Sequence, residues 1–312
     1  MKRIGWKGNF HTRWAPDLDP VATIENGETF EVEIPDSSTG QAFPGMSPED
    51  MATMDQSILD AAVGPFLVEG ASPGDAICVE ILDIKTADWG WTAIIRDFGL
   101  LKNRFEEAVL TWDIGESAVA RGALSGIRVQ VEPFLGIIGV APASGEFPMI
   151  PPQAFGGNMD NRLNCTGSKV YLPVFRPGAL LSLGDPHAAQ GDGEVCGTAI
   201  ETSARVRLRV SVVKGMAISS PLTVSPQRRQ EAYVCTTGIG GDLHRAAQDA
   251  VLSMIGLISS SGIPGPEAYM LCSVAGNLRV SEIVDEPNYV VSMCMPSGIM
   301  GSILPGGGEG AD

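Results

Sequence analysis

The 312-residue sequence predicts a mainly β fold, a sandwich or a barrel, on three observations. A glycine-containing turn followed by strict alternation of apolar and other residues recurs three times, and the clearest alternation of all runs from Ala204 to Val213. Helical spacing is scarce before Asp242. The 38 Gly and 22 Pro supply the turns that many short strands require.

The repeated unit reads Asn26-Gly27 into Phe30, Val32 and Ile34; Pro73-Gly74 into Ile77, Val79 and Ile81; and Pro177-Gly178 into Leu181 and Leu183. Successive strand side chains point to opposite faces, so each segment is a half-buried strand entered from a tight turn. Ten residues past the residue that precedes each glycine stand Asp36, Asp83 and His187. The third copy therefore ends in a histidine where the others end in carboxylates, a hint of divergence inside the repeat. From Ala204 to Val213, Ala204, Val206, Leu208, Val210 and Val212 share one face and Arg205, Arg207 and Arg209 the other, the pattern of an antiparallel strand with one wet side. Asp242 then caps a helix whose Leu243, Ala246, Ala247, Ala250, Val251, Met254, Ile255 and Ile258 form one apolar stripe, stopped by Ser259-Ser260-Ser261-Gly262. A short second helix is expected from Pro266 to about Ser273, and a last strand around Tyr289 to Met293.

The formal net charge of -16 sets up a field that repels nucleic-acid backbones and anionic membranes, so neither is an expected partner. A neutral substrate with ionic products fits it, as does acidity that serves solubility alone. The opening residues lack the apolar run of a signal peptide, and no stretch of about 18 apolar residues exists to span a bilayer. Cys78, Cys165, Cys196, Cys235, Cys272 and Cys294 stand far apart with no C-x-x-C pair. They read as reduced, mostly buried thiols of a cytoplasmic protein.

The informative stretch is Gly156-Gly157-Asn158-Met159-Asp160-Asn161, then Tyr171-Leu172-Pro173-Val174, then Gly184-Asp185-Pro186-His187-Ala188-Ala189-Gln190-Gly191-Asp192-Gly193-Glu194 and Cys196-Gly197-Thr198-Ala199-Ile200-Glu201. It resembles the central signature of the acetamidase/formamidase family. Gly64 through Gly74-Asp75, Asp88-Trp89-Gly90-Trp91-Thr92, and Ala268 through Arg279 agree with it, and the likeness runs from about His11 to Pro296. The resemblance implies a jelly-roll-like sandwich plus a second β unit, with a few helices in the C-terminal third. It places a β-rich part at 1–140 and a second at 141–301 that carries the signature and is intertwined with the first; the Gly-rich 302–312 is expected to be a disordered tail. It further implies a homo-oligomer that hydrolyses formamide, acetamide or a related short amide with a divalent metal.

The residues tell a compatible story. Asp185 and His187 are two apart, as are Asp192 and Glu194, and residues at that spacing point the same way in an extended chain. With Asp160 they offer one nitrogen and several carboxylate oxygens, a site for zinc first, with calcium, magnesium and nickel also compatible. Hydrolysis also needs a carboxylate to carry a proton from water to the departing nitrogen, and Glu194 and Glu201 are the candidates. A strand continuous from Val212 back to Glu194 puts Glu194 inside and Glu201 on the arginine face, which favours Glu194 unless Gly197 carries a bulge. Asn158, Gln190, Phe155 and His11 are the candidate substrate contacts. Each residue also has a plainer reading: Asp185 before Pro186, Asp192 between glycines, and Asn158 and Asp160 after Gly-Gly are ordinary turn formers.

Cys196 has no histidine or lysine placed to activate it, Ser259-Ser260-Ser261-Gly262 reads as a helix stop, and His244 as structural. The family pattern commonly carries a histidine where Phe155 stands, and Asn-Pro or His-Pro in the region of Asp60-Ala61-Ala62-Val63. These departures bear on the acyl-group preference more than on the chemistry. Two other readings stay open: a noncatalytic jelly roll holding a structural cation, and a hydrolase of a cyclic amide such as a γ-lactam.

Overall fold

A computed structural model of the chain describes residues 1–303 except 122, 123, 126, 229, 230, 266, 267, 269, 270, 273 and 274. The fold is mainly β, with 41% strand against 13% helix, so sheets do most of the positioning. Among the described residues the largest sheet has nine strands, in the spatial order Lys2–Ile4, Thr29–Ile34, Ala204–Val213, Ala76–Thr86, Lys169–Pro173, Leu222–Arg228, Glu231–Gly240, Tyr289–Pro296 and Asn277–Glu282. Ala204–Val213 is inserted among the three strands that precede residue 140, and the other five all follow it.

All three turn-entered segments are strands. The first two lie in the large sheet, on either side of Ala204–Val213, which pairs with both. That central strand shows the expected alternation, with Arg205, Arg207 and Arg209 exposed between buried neighbours. The third, Leu181–His187, is the middle of a second sheet and pairs with Phe134–Gly139 and Ala62–Val68. Phe30, Val32, Ile77, Val79, Ile81, Val206, Leu208 and Val210 of the first sheet meet Val63, Phe66, Val68, Leu135, Ile137, Leu181 and Leu183 of the second in one buried core. Each such fully buried side chain contributes roughly 1.5–3 kcal/mol, which is why a one-residue slip in register is excluded.

The Leu243–Ser259 helix begins where the capping residue places it, with the Asp242 carboxylate accepting from the Arg245 N–H. Its buried Ala246, Ala250, Met254 and Ile258 pack on the far end of the large sheet. The last strand extends to Pro296, beyond the expected Met293. A terminal helix, Ser297–Ile303, takes in the first two residues of the expected tail; the rest, 304–312, lies outside the described residues. So does most of the short helix expected from Pro266. No described helix is long and apolar enough to cross a membrane.

Candidate functional site

His187 is the last residue of the Leu181–His187 strand, paired with Phe134, whose ring meets the imidazole edge to face at 5.0 Å. Gln190 turns back beneath it: its Oε1 lies 2.9 Å from His187 Nδ1 and its amide nitrogen donates to the Asp160 carbonyl at 2.8 Å. With Nδ1 engaged, Nε2 faces the acids. It lies 2.9 Å from Asp185 Oδ2 and 3.2 Å from Glu201 Oε2, and makes a directed hydrogen bond with neither.

The strand parity expected between Glu194 and Glu201 does not exist. Regular strand begins only at Ala204; Glu194 sits at φ 47° and Gly197 at φ 89°, and these left-handed residues break the segment before it. Both glutamates therefore turn inward, 6% and 2% exposed. Glu201 bridges two sheets by backbone pairing with His187 and with Trp91, and its carboxylate accepts from Ser37 Oγ and from the Ala199 N–H, each at 2.8 Å. A Cβ at Gly90 would stand 2.6 Å from the Glu201 carbonyl, so the glycine between Trp89 and Trp91 is what lets this segment approach. Arg205 lies nearest Glu31, at 3.8 Å, and is no partner of Glu201.

Asp160 completes the cluster from the turn after Gly156–Asn158. Ligand atoms of Asp160, Asp185 and His187 lie within 4.8 Å of one another, as do those of His187, Glu194 and Glu201. Gly136 forms the floor: a Cβ there would collide with Asp160 Oδ1 and stand 2.7 Å from Asp185 Oδ2. Nine non-glycine residues among those described have positive φ, and Asp60, Asp160, Asp185 and Glu194 are four of them. Such backbone costs on the order of 1–3 kcal/mol per residue and persists where the surroundings over-determine it, as at functional sites. Asp185 is thus not extended, and its convergence with His187 comes from a left-handed turn within the strand.

Electrostatics match the crowding. Burial, and then the charges of neighbouring acids, hold Asp185 and Glu194 well above the usual carboxylate range and raise Asp160. Burial raises Asp60 to about 7, with Glu201 and Asp160 adding to it. Burial would also raise Glu201, but His187 and hydrogen bonds outweigh it and the group settles at about 2. His187 shows the converse: burial alone lowers it, and the charges of Asp185 and Glu201 lift it well above 6.5. His187 Nε2, Asp160 Oδ1, Asp185 Oδ1 and Asn158 Oδ1 are buried with no hydrogen-bond partner.

These groups open on a cavity of about 450 Å³ whose wall includes Asp60, Trp91, Asn158, Asp160, Asp185, Glu194, Glu201 and Asp285. Asn158 donates to Asp285 Oδ2 at 2.8 Å. Other expected site residues stand elsewhere. Asp192 is exposed, 3.9 Å from Arg162 and from Arg279, and outside the cluster. Phe155 packs between Trp14 and Phe147, each at 5.4 Å, in the main core. His11 lies 2.8 Å from Ser182 Oγ against Trp14, and burial lowers it to about 4. Gln190 orients the imidazole and does not line the cavity.

Asp60, Ser37 and Asp285 reach the cavity without any local signal in the sequence. Behind Asp285, Glu282 accepts its N–H and is raised by burial to about 8. Asp36, from the first repeat, accepts from Trp91 Nε1 at 2.7 Å beside the same wall, so two of the three repeat-end residues flank the site. Asp83 does not; it pairs with Lys85.

The family model described as "Acetamidase/Formamidase family" matches residues 4–149 and 146–302. The chain belongs to the acetamidase/formamidase family. It is 28% identical to a formamidase of Methylophilus methylotrophus over 94% of this chain and 89% of that one. With an acetamidase of Mycolicibacterium smegmatis it shares 26% identity over 84% of each. A solved structure titled as a predicted acetamidase/formamidase from Thermoanaerobacter tengcongensis superposes with a TM-score of 0.89 at 31% identity, covering 97% and 98% of the two chains. The family resemblance therefore extends over both large sheets and every segment that contributes an acid to the cluster.

Proposed function

We propose that this acetamidase/formamidase family member hydrolyses aliphatic carboxamides, formamide and acetamide included, to the carboxylate and ammonia, with a divalent metal held by His187, Asp185, Glu201 and Asp160. The observation that carries the reading is the approach of the Asp185 and Glu201 oxygens to His187 Nε2 at 2.9 and 3.2 Å without a directed hydrogen bond, in a buried cluster inside a cavity. One imidazole nitrogen among carboxylate oxygens, several of them lacking partners, suits a cation; zinc is the first candidate, with calcium, magnesium and nickel also compatible. A divalent cation supplies a Lewis acid that polarises the amide carbonyl and acidifies water.

The chain's own residues do the rest. Glu194 opens on the cavity and takes the proton from the attacking water, then gives it to the departing nitrogen; burial raises its carboxyl above the usual range, which strengthens it as a proton acceptor. Asn158 has its amide nitrogen committed to Asp285, so its free Oδ1 accepts from the substrate carboxamide. Gln190 fixes the imidazole so that Nε2 faces the acids.

The test is ammonia release from formamide, acetamide and propionamide, and ring opening of a γ-lactam, by protein whose metal content per chain is counted. No turnover of any of these by the metal-loaded protein overturns the hydrolase. Full activity in metal-free protein overturns the metal. The same reading includes a homo-oligomer, to be refuted by a clean monomer in light scattering, and a reducing cytoplasmic setting, which the six free thiols support.

A further inference from the structure

From the shape of this same cavity, and resting on the hydrolase reading, we infer that the enzyme selects aliphatic amides with acyl chains of about five or six carbons over acetamide. Acetamide has four heavy atoms and fills on the order of 100 Å³ at liquid density, whereas pockets of about 300–1,000 Å³ bury far larger ligands. The cavity holds about 450 Å³, so acetamide docked at the acids leaves most of it unfilled.

The remaining space is lined mostly by apolar groups, with Gln56, Asp97 and the Arg96–Glu107 pair as its polar members. Away from the acid cluster it is walled by Met51, Met54, Leu59, Ile95, Phe98 and Ile150. A cluster of acids beside a predominantly aliphatic and aromatic lining matches an amphipathic substrate whose polar head is the carboxamide. Methionines, flexible and polarizable, accommodate a chain without demanding one shape. Nothing in this wall presents a second cation to favour an acidic tail except Arg96, which is already paired with Glu107 at 3.0 Å.

The wall is built into the signature. The Phe98 ring lies against Gly197, where a Cβ would come within 2.5 Å of it, and Leu100 N–H donates to the Val195 carbonyl at 3.0 Å. Thr198 Oγ1 both accepts from the Ala93 N–H and donates to the Ala93 carbonyl, each at 2.9 Å. The segment that carries Glu194 and Glu201 thus also fixes the loop that carries Ile95 and Phe98. Met51 packs in one cluster with Trp91, whose backbone pairs with Glu201. Chemistry and chain-length preference are set by the same two strands of contact.

The experiment is kcat/KM for formamide, acetamide, butanamide and hexanamide on the metal-loaded, full-length protein. Burial of each methylene is expected to raise it about fourfold, roughly 250-fold over the four methylenes from acetamide to hexanamide. Met54→Gln, nearly isosteric and near the surface, is expected to lower the hexanamide-to-acetamide ratio about tenfold. Brisk acetamide turnover with a flat or falling series overturns the inference and leaves the hydrolase standing. An unchanged ratio in Met54→Gln overturns it as well, by removing the wall from the acyl site. Ammonia release from none of the four overturns both readings.

Discussion

Gln190 Oε1 lies 2.9 Å from His187 Nδ1 while the same side chain's amide nitrogen reaches the Asp160 carbonyl at 2.8 Å. One neutral side chain therefore orients the imidazole and ties it to the turn that presents Asp160. The bond requires Nδ1 to carry a proton, which leaves Nε2 as the ring atom that faces the acids.

Gln190→Leu is expected to keep the fold and weaken metal retention about 10–100-fold, since groups that orient a ligand from behind contribute on that scale. Competition with a chelator of known affinity measures it. An unaltered metal affinity would show that the imidazole is held by Phe134 and packing alone.

Gly136→Ala tests the floor of the site. The added methyl would overlap Asp160 Oδ1 and crowd Asp185 Oδ2, so both carboxylates must shift. Metal retention and turnover should fall together, with a loss of stability of roughly 1–3 kcal/mol from overpacking. A chemical denaturation curve and metal content on one preparation separate the two. Wild-type metal content and activity in a folded Gly136→Ala protein would mean that the acids are less constrained than their geometry implies.

The buried acids fix the sign of a pH dependence. Burial raises Asp60 to about 7 and Glu282 to about 8, and holds Asp285 well above the usual range. In the unfolded chain such groups titrate near 4, so between about pH 4 and 8 the folded protein binds more protons than the unfolded one. Stability then falls as pH rises through that window. Glu201, held at about 2, adds stability above about pH 4.5 that is lost only as pH falls through 2. Metal-free protein is accordingly expected to melt at a lower temperature at pH 8 than at pH 5, and saturating divalent metal should flatten that slope by offsetting the negative charge. A melting temperature that rises from pH 5 to pH 8 in chelated protein would contradict it.

The strands were legible because their signal is local: turn glycines and period-two alternation place Thr29–Ile34, Ala76–Thr86, Leu181–His187 and Ala204–Val213 without reference to their partners. The signature likewise brought forward His187, Asp185, Asp160, Glu194 and Glu201. Asp60 and Asp285 were hidden because they come from segments more than 200 residues apart and meet only through the sheets. Gly136 was hidden because its role is what its missing side chain permits. Glu194 and Glu201 both face inward, against the expected alternation, because parity propagates only along continuous strand and the left-handed Glu194 and Gly197 interrupt it. Asp192 illustrates the same limit, since two-residue spacing in a turn carries no promise of a shared face.

The inward position of both glutamates sets what their substitution should do. Glu201 lies 3.2 Å from His187 Nε2 and is held by Ser37 and the Ala199 N–H, and in the proposed reading it is one of the metal's ligands. Glu201→Gln removes the charge that a cation needs, and the expected outcome is loss of bound metal with loss of activity. Glu194 opens on the cavity and, in this reading, only carries the proton. Glu194→Gln is nearly isosteric; the protein should keep much of its metal and its fold while turnover falls roughly 100-fold or more through loss of proton transfer. His187→Ala is the reference for complete loss, because it removes the nitrogen donor and strands Asp185 and Glu201 together. The deciding measurement is turnover against metal per chain for the three variants. If Glu201→Gln retains metal and is inactive while Glu194→Gln stays active, the roles are exchanged and Glu201 carries the proton.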